Sequence, residues 1–466
     1  MAHVRIFNHY VQTPFLFLAV AEFVLLAACA YVGITFMGWN EEALAMEEML
    51  RYASIYAMVM LLCTLSLGSY GAGVSESFAA MGVRCVVSYC LLGSAAMVIL
   101  FYIVPGLHIG RRALFASVIL SLIVVLLFRK LFYHTVDNAS LKRHILVLGA
   151  GNRAADIEKV QNPSSMGFEI VGYVPADAEK CIIDEAKLLD SVGGIGHLVE
   201  KHHVDEIVVA VDERRRSMGS YFPIEELLDC KLKGVRITEA VQFYERELGQ
   251  ISLSDLHPGW MVFGDGFHYS QSRDVAKRGF DIIICTVLLL LTWPLMLLAM
   301  LAIFLETGRP MLYKQIRTGL DGKPFEIYKF RSMTQDAEKG GKAVWAKAND
   351  ARVTKVGAFI RNTRIDELPQ IFNVLKGDMS FVGPRPERPQ FVAELNDTLP
   401  YYDFRHRVKP GLMGWAQLNY PYGASIDDAH NKLVYDLYYV KNHSLLLDLL
   451  IVVQTVEVIL LGKGVR

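Results

Sequence analysis

The chain has 466 residues, of which 53% are hydrophobic and only 20% are charged. Soluble globular proteins carry about 25% charged residues, so this composition indicates a membrane protein with sizeable soluble parts and argues against a disordered or fibrous chain. The formal net charge of −1 argues against a nucleic-acid binder. The seven cysteines form no CxxC pair, which gives no indication of a zinc site or a disulfide framework.

Four long apolar runs occupy the first part of the chain. They cover approximately residues 15–39, 53–70, 83–105 and 113–128. A helix of this length can cross a bilayer, so the runs predict a four-helix transmembrane bundle in residues 1–135. The only acidic residue inside the first run is Glu22, and a polar group that faces neighbouring helices is its simplest interpretation.

Flanking charges predict the orientation of this bundle. Cations precede the first run and follow the fourth, whereas the loop between the first two runs is acidic. The cations are His3, Arg5, Arg129, Lys130, Lys142 and Arg143. By the positive-inside rule both ends of the bundle lie in the cytoplasm, although Arg111 and Arg112 on an outer loop count against this orientation.

Residues 140–252 have the pattern of a Rossmann-like α/β domain. Short apolar strands are predicted at about 144–148, 169–174, 206–211 and 235–238, with a helix at 195–202, and such alternation is typical of a parallel sheet. Gly149 and Gly151 follow the first strand in a GxGxxA fingerprint, which makes them weak candidates for nucleotide binding. A degenerate or ancillary nucleotide-type fold is the alternative.

A fifth apolar run, about 282–305, lies within residues 273–310 and contains Pro294 near its middle. Its length suits a fifth transmembrane helix. The proline removes a helix hydrogen bond and favours a kink, and cations flank both ends of the run. The residues alone therefore leave two interpretations open, a spanning helix and a re-entrant helix that enters and leaves by the same membrane face.

The segment after this run is basic and alternates like a strand. In the stretch 325–331 and just before it, alternation places Lys323, Lys329 and Arg331 on one face. Such a face suits a diphosphate, because arginine offers a bidentate fork. The alternative is an edge strand that faces either solvent or lipid headgroups.

Two adjacent carboxylates, Asp366 and Glu367, precede a short amphipathic helix with Pro369 in its first turn and Gly377 at its end. They can simply be helix-capping and first-turn acids. They can also hold a divalent cation and supply a carboxylate nucleophile, since cations surround them. The nearest cations in sequence are Arg361 and Arg364.

Two stiff turns follow, Gly383-Pro384-Arg385-Pro386 and Lys409-Pro410-Gly411, and Arg388 comes just after the first. Most turns of this composition are only turns. Several cationic turns after a carboxylate pair indicate an anion-binding site more strongly than any single turn does.

These motifs, together with Lys329-Phe330-Arg331-Ser332-Met333 and Asp366-Glu367-Leu368-Pro369-Gln370, resemble the bacterial sugar transferase family. Its members are monotopic polyprenyl-phosphate phosphoglycosyl transferases, and the resemblance covers about residues 273–466. The four apolar runs and the α/β domain are similar to the long form of the family, found in exopolysaccharide and O-antigen initiation. The resemblance implies a re-entrant helix whose central proline matches Pro294, followed by a mixed α/β catalytic domain in residues 311–466.

The resemblance also implies an activity and its site. A sugar 1-phosphate passes from a nucleotide sugar, with UDP as the expected carrier, to undecaprenyl phosphate through a phospho-aspartate. Asp366 matches the nucleophile, and Glu367 its partner in Mg²⁺ or proton handling. The expected phosphate-binding residues are Lys329, Arg331, Arg361, Arg364, Arg385, Arg388 and Lys409.

The same resemblance implies the surroundings of the protein. We expect a bacterial inner-membrane protein with cytoplasmic soluble domains that contacts membrane lipids, binds no nucleic acid and can form a homo-oligomer. One alternative stays open, in which the chain is a sugar-nucleotide-binding regulator or a scaffold of a polysaccharide assembly complex with an inactive transferase half.

Overall fold

The computed structural model describes most of the chain, in two compact units, one running to Leu248 and the other beginning at Gly249. The expected boundary at residue 252 lies just beyond this division. The described residues are 3–6, 9–37, 45–66, 78–104, 110–136, 143–160, 168–176, 181–190, 193–212, 222–253, 256, 270–334, 352–421, 423 and 425–460.

The first unit begins with two short paired strands and continues into apolar helices. The strands are β1 (His3–Ile6) and β2 (His9–Gln12). The helices are α1 (Thr13–Met37), α2 (Met46–Ser66), α3 (Phe78–Val86), a π-helical segment (Val87–Gly93), α4 (Ser94–Ile103) and α5 (Arg111–Val136). Within the described residues, these helices provide four apolar segments long enough to cross a membrane, which confirms the predicted apolar runs.

The apolar helices share a hydrophobic cluster, in which Leu26, Tyr56 and Met60 are fully buried. An ion pair joins α1 to α5: Arg129 Nε lies 2.5 Å from Glu22 Oε1, and both side chains are fully buried. Glu22 thus faces a neighbouring helix, as expected. Arg129 is a structural partner of Glu22 and not a solvated flanking cation.

A four-stranded parallel sheet follows in the same unit, with strand order β4-β3-β5-β6. This sheet confirms the predicted parallel α/β domain. The strands are β3 (Arg143–Leu148), β4 (Phe168–Val174), β5 (Glu206–Val209) and β6 (Arg236–Glu239). The helices are α6 (Asn152–Val160), α7 (Gly194–His202), α8 (Ile224–Leu232) and α9 (Ala240–Leu248).

Buried charges tie this sheet to its last helix. Glu206 at the start of β5 accepts hydrogen bonds from Arg143 at 2.9 Å and from Arg246 of α9 at 2.9 and 3.0 Å. All three side chains are nearly inaccessible to solvent. Arg143 is therefore buried, like Arg129, although the positive-inside argument counted both among the flanking cations.

The second unit is mixed α/β. It begins with the long helix α10 (Gln271–Thr307) and the antiparallel strands β7 (Leu312–Thr318) and β8 (Pro324–Phe330). The remaining helices are α11 (Lys355–Asn362), α12 (Gln370–Lys376), α13 (Pro389–Thr398), α14 (Trp415–Asn419), α15 (Ile426–Asn442) and α16 (Leu445–Leu460). Two short parallel strands, β9 (Ser380–Val382) and β10 (Gly411–Met413), complete it.

The core of the second unit includes residues on both sides of α10 in sequence. Leu447 and Ile451 of α16 are fully buried in it, so the apolar helix α16 packs into this core. Ile251 also belongs to this core, and its N–H donates to the carbonyl of Val434 at 3.0 Å. The segment that enters the second unit is therefore part of its fold.

Helix α10 contacts the second unit through both of its halves. Before Pro294, the carboxylate of Asp281 accepts a 3.0 Å hydrogen bond from the Ser380 hydroxyl. After Pro294, the carboxylate of Glu306 accepts the backbone N–H of Lys355 at 2.9 Å. The helix thus lies along one unit for most of its length.

Candidate active site

The carboxylate pair lies in a single 3₁₀ turn, Ile365–Glu367, that precedes α12. Arg364 adopts a left-handed backbone conformation, with φ of 58°, immediately before this turn. Helix α12 ends at Gly377, as the sequence predicts, but begins only after Pro369, which the sequence placed in its first turn. Because Pro369 occupies the cap position without a side-chain cap hydrogen bond, Asp366 does not serve as the helix cap.

Glu367 is held by cations from three segments. Its Oε1 atom lies 2.8 Å from Lys329 Nζ of β8 and 2.8 Å from Arg385 Nη2, and 3.9 Å from Arg364 Nη1. Burial would raise the pKa of Glu367, but Arg385, Lys329 and Arg364 outweigh burial and hold this pKa well below its usual range. Glu367 is therefore a permanently charged anchor.

Asp366 has a different environment. It is 8% exposed, and its carboxylate makes no hydrogen bond with the residues that the structure describes. Burial, and then the negative charge of Glu367, raise the pKa of Asp366 to about 6 despite the nearby cations. At neutral pH this carboxylate is mostly ionised and is free to react or to bind a cation.

A cavity of about 420 Å³ opens beside the pair, and Glu367 and Arg385 line it. This volume is in the range of small-molecule sites. Further cations in its wall are Arg317, Arg364, Arg388, Arg405 and Lys432. A second part of the wall is apolar and includes Leu288, Thr292 and Leu295 of α10 together with Leu412 and Met413. The cavity thus combines a cationic part of its wall with an apolar part.

The two stiff turns that the sequence predicts pack against each other and orient Arg385. The Gly383 N–H donates to the Met413 carbonyl at 2.8 Å, and the Gly411 N–H donates to the Pro384 carbonyl at 2.9 Å. A Cβ atom on Gly411 would lie only 2.0 Å from the nitrogen of Gly383. Glycine at this position therefore permits the close approach that fixes the turn.

Comparison with known proteins agrees with this geometry. Residues 272–462 match the family model described as bacterial sugar transferase, and residues 66–217 match a model described as CoA-binding domain. The chain is 42% identical over 318 residues to the UDP-glucose:undecaprenyl-phosphate glucose-1-phosphate transferase of Escherichia coli K12, covering 67% of each chain. The chain belongs to the bacterial sugar transferase family.

Other relatives match this chain over shorter stretches. A UDP-N-acetylgalactosamine-undecaprenyl-phosphate N-acetylgalactosaminephosphotransferase of Aeromonas hydrophila is 43% identical over 52% of this chain and 56% of its own length. A UDP-glucose:undecaprenyl-phosphate glucose-1-phosphate transferase of Klebsiella pneumoniae is 43% identical over 39% of each chain. The chain thus spans about half the length of these two relatives, whose names specify different sugars.

The structure brings together only part of the predicted phosphate-binding set. Lys329, Arg364 and Arg385 surround Glu367, and Arg388 lines the cavity. The cavity wall contains none of Arg361, Lys409, Lys329 and Asp366. Residues that are neighbours in sequence around a turn need not face the same cavity, and the phosphate-binding role of the set stays a prediction.

Arg331 lies in a different place from the one that strand alternation predicts. Strand β8 ends at Phe330, so alternation no longer governs the direction of the next side chain. Arg331 Nη2 donates to the carbonyls of Thr307 at 3.0 Å and Gly308 at 2.7 Å, at the end of α10. Arg331 therefore holds the end of this helix, where cations are favoured by the helix dipole.

Several cavity residues were missed by the sequence reasoning. Arg317 of β7 donates to the Pro386 carbonyl at 3.2 Å, and Arg405 and Lys432 reach the same cavity from later helices. The basic composition around β7 is a signal for Arg317. Arg405 and Lys432 stand alone in sequence, and only the tertiary fold brings them to the site.

The donor set suits Mg²⁺, although the described residues include no cluster of three or more His, Cys, Asp or Glu. Mg²⁺ is commonly held by one or two carboxylates while substrate phosphates and water complete its octahedron. The carboxylate of Asp366 is uncommitted, and Glu367 lies next to it in the same turn. These two residues fit such a site.

A carboxylate from another part of the α/β domain binds backbone amides of the GxGxxA loop. The carboxylate of Asp212 accepts the backbone N–H groups of Asn152 at 2.9 Å and Arg153 at 3.0 Å. These amides at the start of α6 are the groups that a pyrophosphate would use in a dinucleotide site. The arrangement favours the ancillary interpretation of Gly149 and Gly151 over a ligand site.

Proposed function

We propose that this chain transfers a sugar 1-phosphate from a UDP sugar to undecaprenyl phosphate through a phospho-aspartate on Asp366. The observation that carries the proposal is the contrast within the carboxylate pair. Glu367 is fixed by three cations, whereas the ionised Asp366 is uncommitted beside it. The names of the relatives support the substrates.

In the first step, a carboxylate oxygen of Asp366 attacks the phosphorus that is bonded to the sugar. A phosphorus–oxygen bond forms, the bond to the nucleoside phosphate breaks, and UMP leaves with the bonding electron pair. Arg364, Arg385 and Lys329 orient the diphosphate oxygens and offset their charge, which is the main catalytic demand in phosphoryl transfer.

In the second step, a phosphate oxygen of undecaprenyl phosphate attacks the same phosphorus and releases the Asp366 carboxylate. The apolar wall formed by Leu288 and Leu295 of α10 suits the first isoprene units of the acceptor. The product is an undecaprenyl-diphosphate sugar. One cavity serves both steps, because it reaches Ile365 and Glu367, the two neighbours of Asp366, where each substrate would place a phosphate.

Mg²⁺ bound by Asp366 and Glu367 would supply positive charge that offsets the repulsion between carboxylate and diphosphate. The chain's own residues provide the rest of the environment. Lys329 and Arg385 keep Glu367 ionised, and burial of the turn excludes bulk water from the reacting carboxylate. Exclusion of water protects the phospho-aspartate from hydrolysis.

We propose that α10 is re-entrant and that the soluble parts lie on the cytoplasmic face of a bacterial inner membrane, with α1, α2, the α3–α4 segment and α5 as a four-helix membrane bundle. Supporting this, Ile283, Leu290, Leu298 and Leu305 of α10 are more than 60% exposed. Yet both halves of α10 bond to the same charged unit. A spanning helix would draw that unit into the hydrocarbon, where unpaired charges are costly.

The half-reaction tests the activity. The full-length protein in nanodiscs is incubated with a UDP sugar and Mg²⁺ but no lipid acceptor. We expect release of about one equivalent of UMP and a sugar-phosphate adduct that peptide mass spectrometry assigns to Asp366. Undecaprenyl phosphate should then discharge the adduct.

Two variants make this test specific. Asp366→Asn should form no adduct, because the attacking oxygen anion is gone. Asp397→Asn changes an exposed carboxylate of α13 and should react like the wild type. A regulator or scaffold would release no UMP, so absence of both UMP and adduct across a panel of UDP sugars would contradict the proposal.

A further inference from the structure

The turn that carries Arg385 depends on other residues for its hydrogen bonds. Pro384 and Pro386 have no N–H, so the turn offers mostly carbonyl oxygens. One end is fixed at Val382, whose carbonyl accepts from Lys277 Nζ at 3.1 Å. At the centre, the carbonyl of Arg385 itself accepts from Arg405 Nη2 at 2.9 Å.

Arg405 is held rigidly behind this turn. Its Nη2 atom lies 2.7 Å from Asp436 Oδ2 of α15, and the two side chains are only 6% and 4% exposed. Its Nη1 atom donates to the Tyr402 hydroxyl at 2.6 Å. A guanidinium is planar and directs its N–H groups at fixed angles, so the ion pair between Nη2 and Asp436 sets where the other N–H of Nη2 points.

A buried ion pair is not an efficient stabiliser, because desolvation of the two charges offsets most of their attraction. Orienting the N–H groups of Arg405 is a different role, and a pair of apolar residues of the same volume cannot perform it. Here the oriented N–H group of Arg405 donates to the main-chain carbonyl of Arg385. The side chain of Arg385 in turn lies 2.8 Å from Glu367. A series of contacts therefore connects Asp436 of α15, through Arg405 and Arg385, to Glu367 of the carboxylate pair.

We infer that Arg405 and Asp436 are positioning residues that set the main chain of Arg385, and thereby the place of its guanidinium at Glu367, for the first phosphoryl transfer. This inference rests on the proposed function. It assigns Arg405 no direct bond to substrate, although Arg405 lines the cavity.

The first test measures the rate of adduct formation in a single turnover by the full-length protein in nanodiscs. Arg405→Met should slow this step by roughly 100-fold, the loss that a displacement of about 1 Å produces in catalysis. Arg405→Lys, which keeps one donor, should recover part of the rate. The KM for undecaprenyl phosphate should stay unchanged in both variants.

Tyr402→Phe is the matched control. It removes the hydroxyl next to Arg405 Nη1 but leaves the contacts to Asp436 and Arg385. We expect a lower melting temperature with a rate of adduct formation close to the wild type. If Arg405→Met does not fold, Asp436→Asn replaces it, since asparagine can still accept a hydrogen bond while the charge is lost. An equal loss of rate in Tyr402→Phe would overturn the inference in favour of general destabilisation.

A double-mutant cycle with Arg385→Lys decides how Arg405 acts. If Arg405 works only through Arg385, adding Arg405→Met to Arg385→Lys should slow adduct formation little further. Fully multiplicative losses would show an independent role and would refute the inference while leaving the proposed function intact. A wild-type protein that forms no adduct would instead refute the proposed function.

Discussion

Replacing Asp366 by asparagine separates the catalytic role of this carboxylate from its effect on stability. The side chain keeps its shape but loses its charge. Loss of a carboxylate that anchors other groups would destabilise the fold. Asp366, however, makes no hydrogen bond with the described residues. We therefore expect Asp366→Asn to abolish turnover and to raise the melting temperature.

The magnitude follows from the pKa of Asp366, which burial and Glu367 raise from 3.8 to about 6. One pKa unit corresponds to 1.36 kcal/mol, so ionising this carboxylate in the folded protein costs up to about 3 kcal/mol. Asparagine removes that cost. For a domain of this size about 1 kcal/mol shifts the melting temperature by roughly 2–4 °C, so a gain of several degrees is expected.

The gain should depend on pH in a defined direction. The folded protein binds the Asp366 proton more tightly than the unfolded chain does, so wild-type stability falls as pH rises from about 4 to about 6. Above this window the advantage of Asp366→Asn is complete, and below it the two proteins converge. Metal-free buffer is required, because Mg²⁺ at Asp366 would stabilise the carboxylate.

The assay is thermal unfolding by intrinsic fluorescence in nanodiscs with EDTA, at pH 5 and pH 8, with Asp397→Asn as control. UMP release is measured on the same samples. A melting temperature several degrees below the wild type at pH 8 would refute the reasoning, because Asp366 would then be a stabilising anchor. Retained turnover would refute its role as nucleophile.

Three further predictions concern the domains and the membrane. A protein beginning at Gly249 should retain UMP release, and one beginning at Ser272 should be less stable by about 5 kcal/mol, since three buried apolar side chains of the core are lost; equal stability by chemical denaturation would contradict this. Single cysteines introduced near Arg273 and Arg309 should both react with an impermeant reagent from the cytoplasmic side only, and labelling of the second from outside would show a spanning helix. Glu22→Gln should destabilise the apolar helices by roughly 3–5 kcal/mol, because the buried guanidinium of Arg129 loses the carboxylate charge of Glu22, and an unchanged melting temperature would contradict a stabilising role of this pair.

Local patterns in the sequence were sufficient to predict several of the helices and strands. The apolar runs, the parallel α/β strands and the short helix ending at Gly377 follow from hydrophobic period, proline and glycine, which act over a few residues. Strand period failed at Arg331, one residue past the end of β8, because alternation holds only while the strand continues.

The carboxylate pair could also be found from the sequence, since Asp366 and Glu367 are adjacent and stand in a distinctive motif. The different roles of the two carboxylates could not be predicted from the sequence. Both have the same charge and the same neighbours in sequence, and only the approach of Lys329 and Arg385 from distant segments makes Glu367 an anchor and leaves Asp366 open.

Long-range partners decided the remaining roles. The positive-inside argument counted Arg129 among the cations that flank the apolar runs, but in the fold it is buried against Glu22. Arg405 has no distinguishing pattern around it, and its role comes from Asp436 and the carbonyl of Arg385. The sequence shows only that a residue carries a charge and can attract the opposite one. The tertiary structure decides which opposite charge or carbonyl comes within hydrogen-bond distance, and how much water is excluded from the pair.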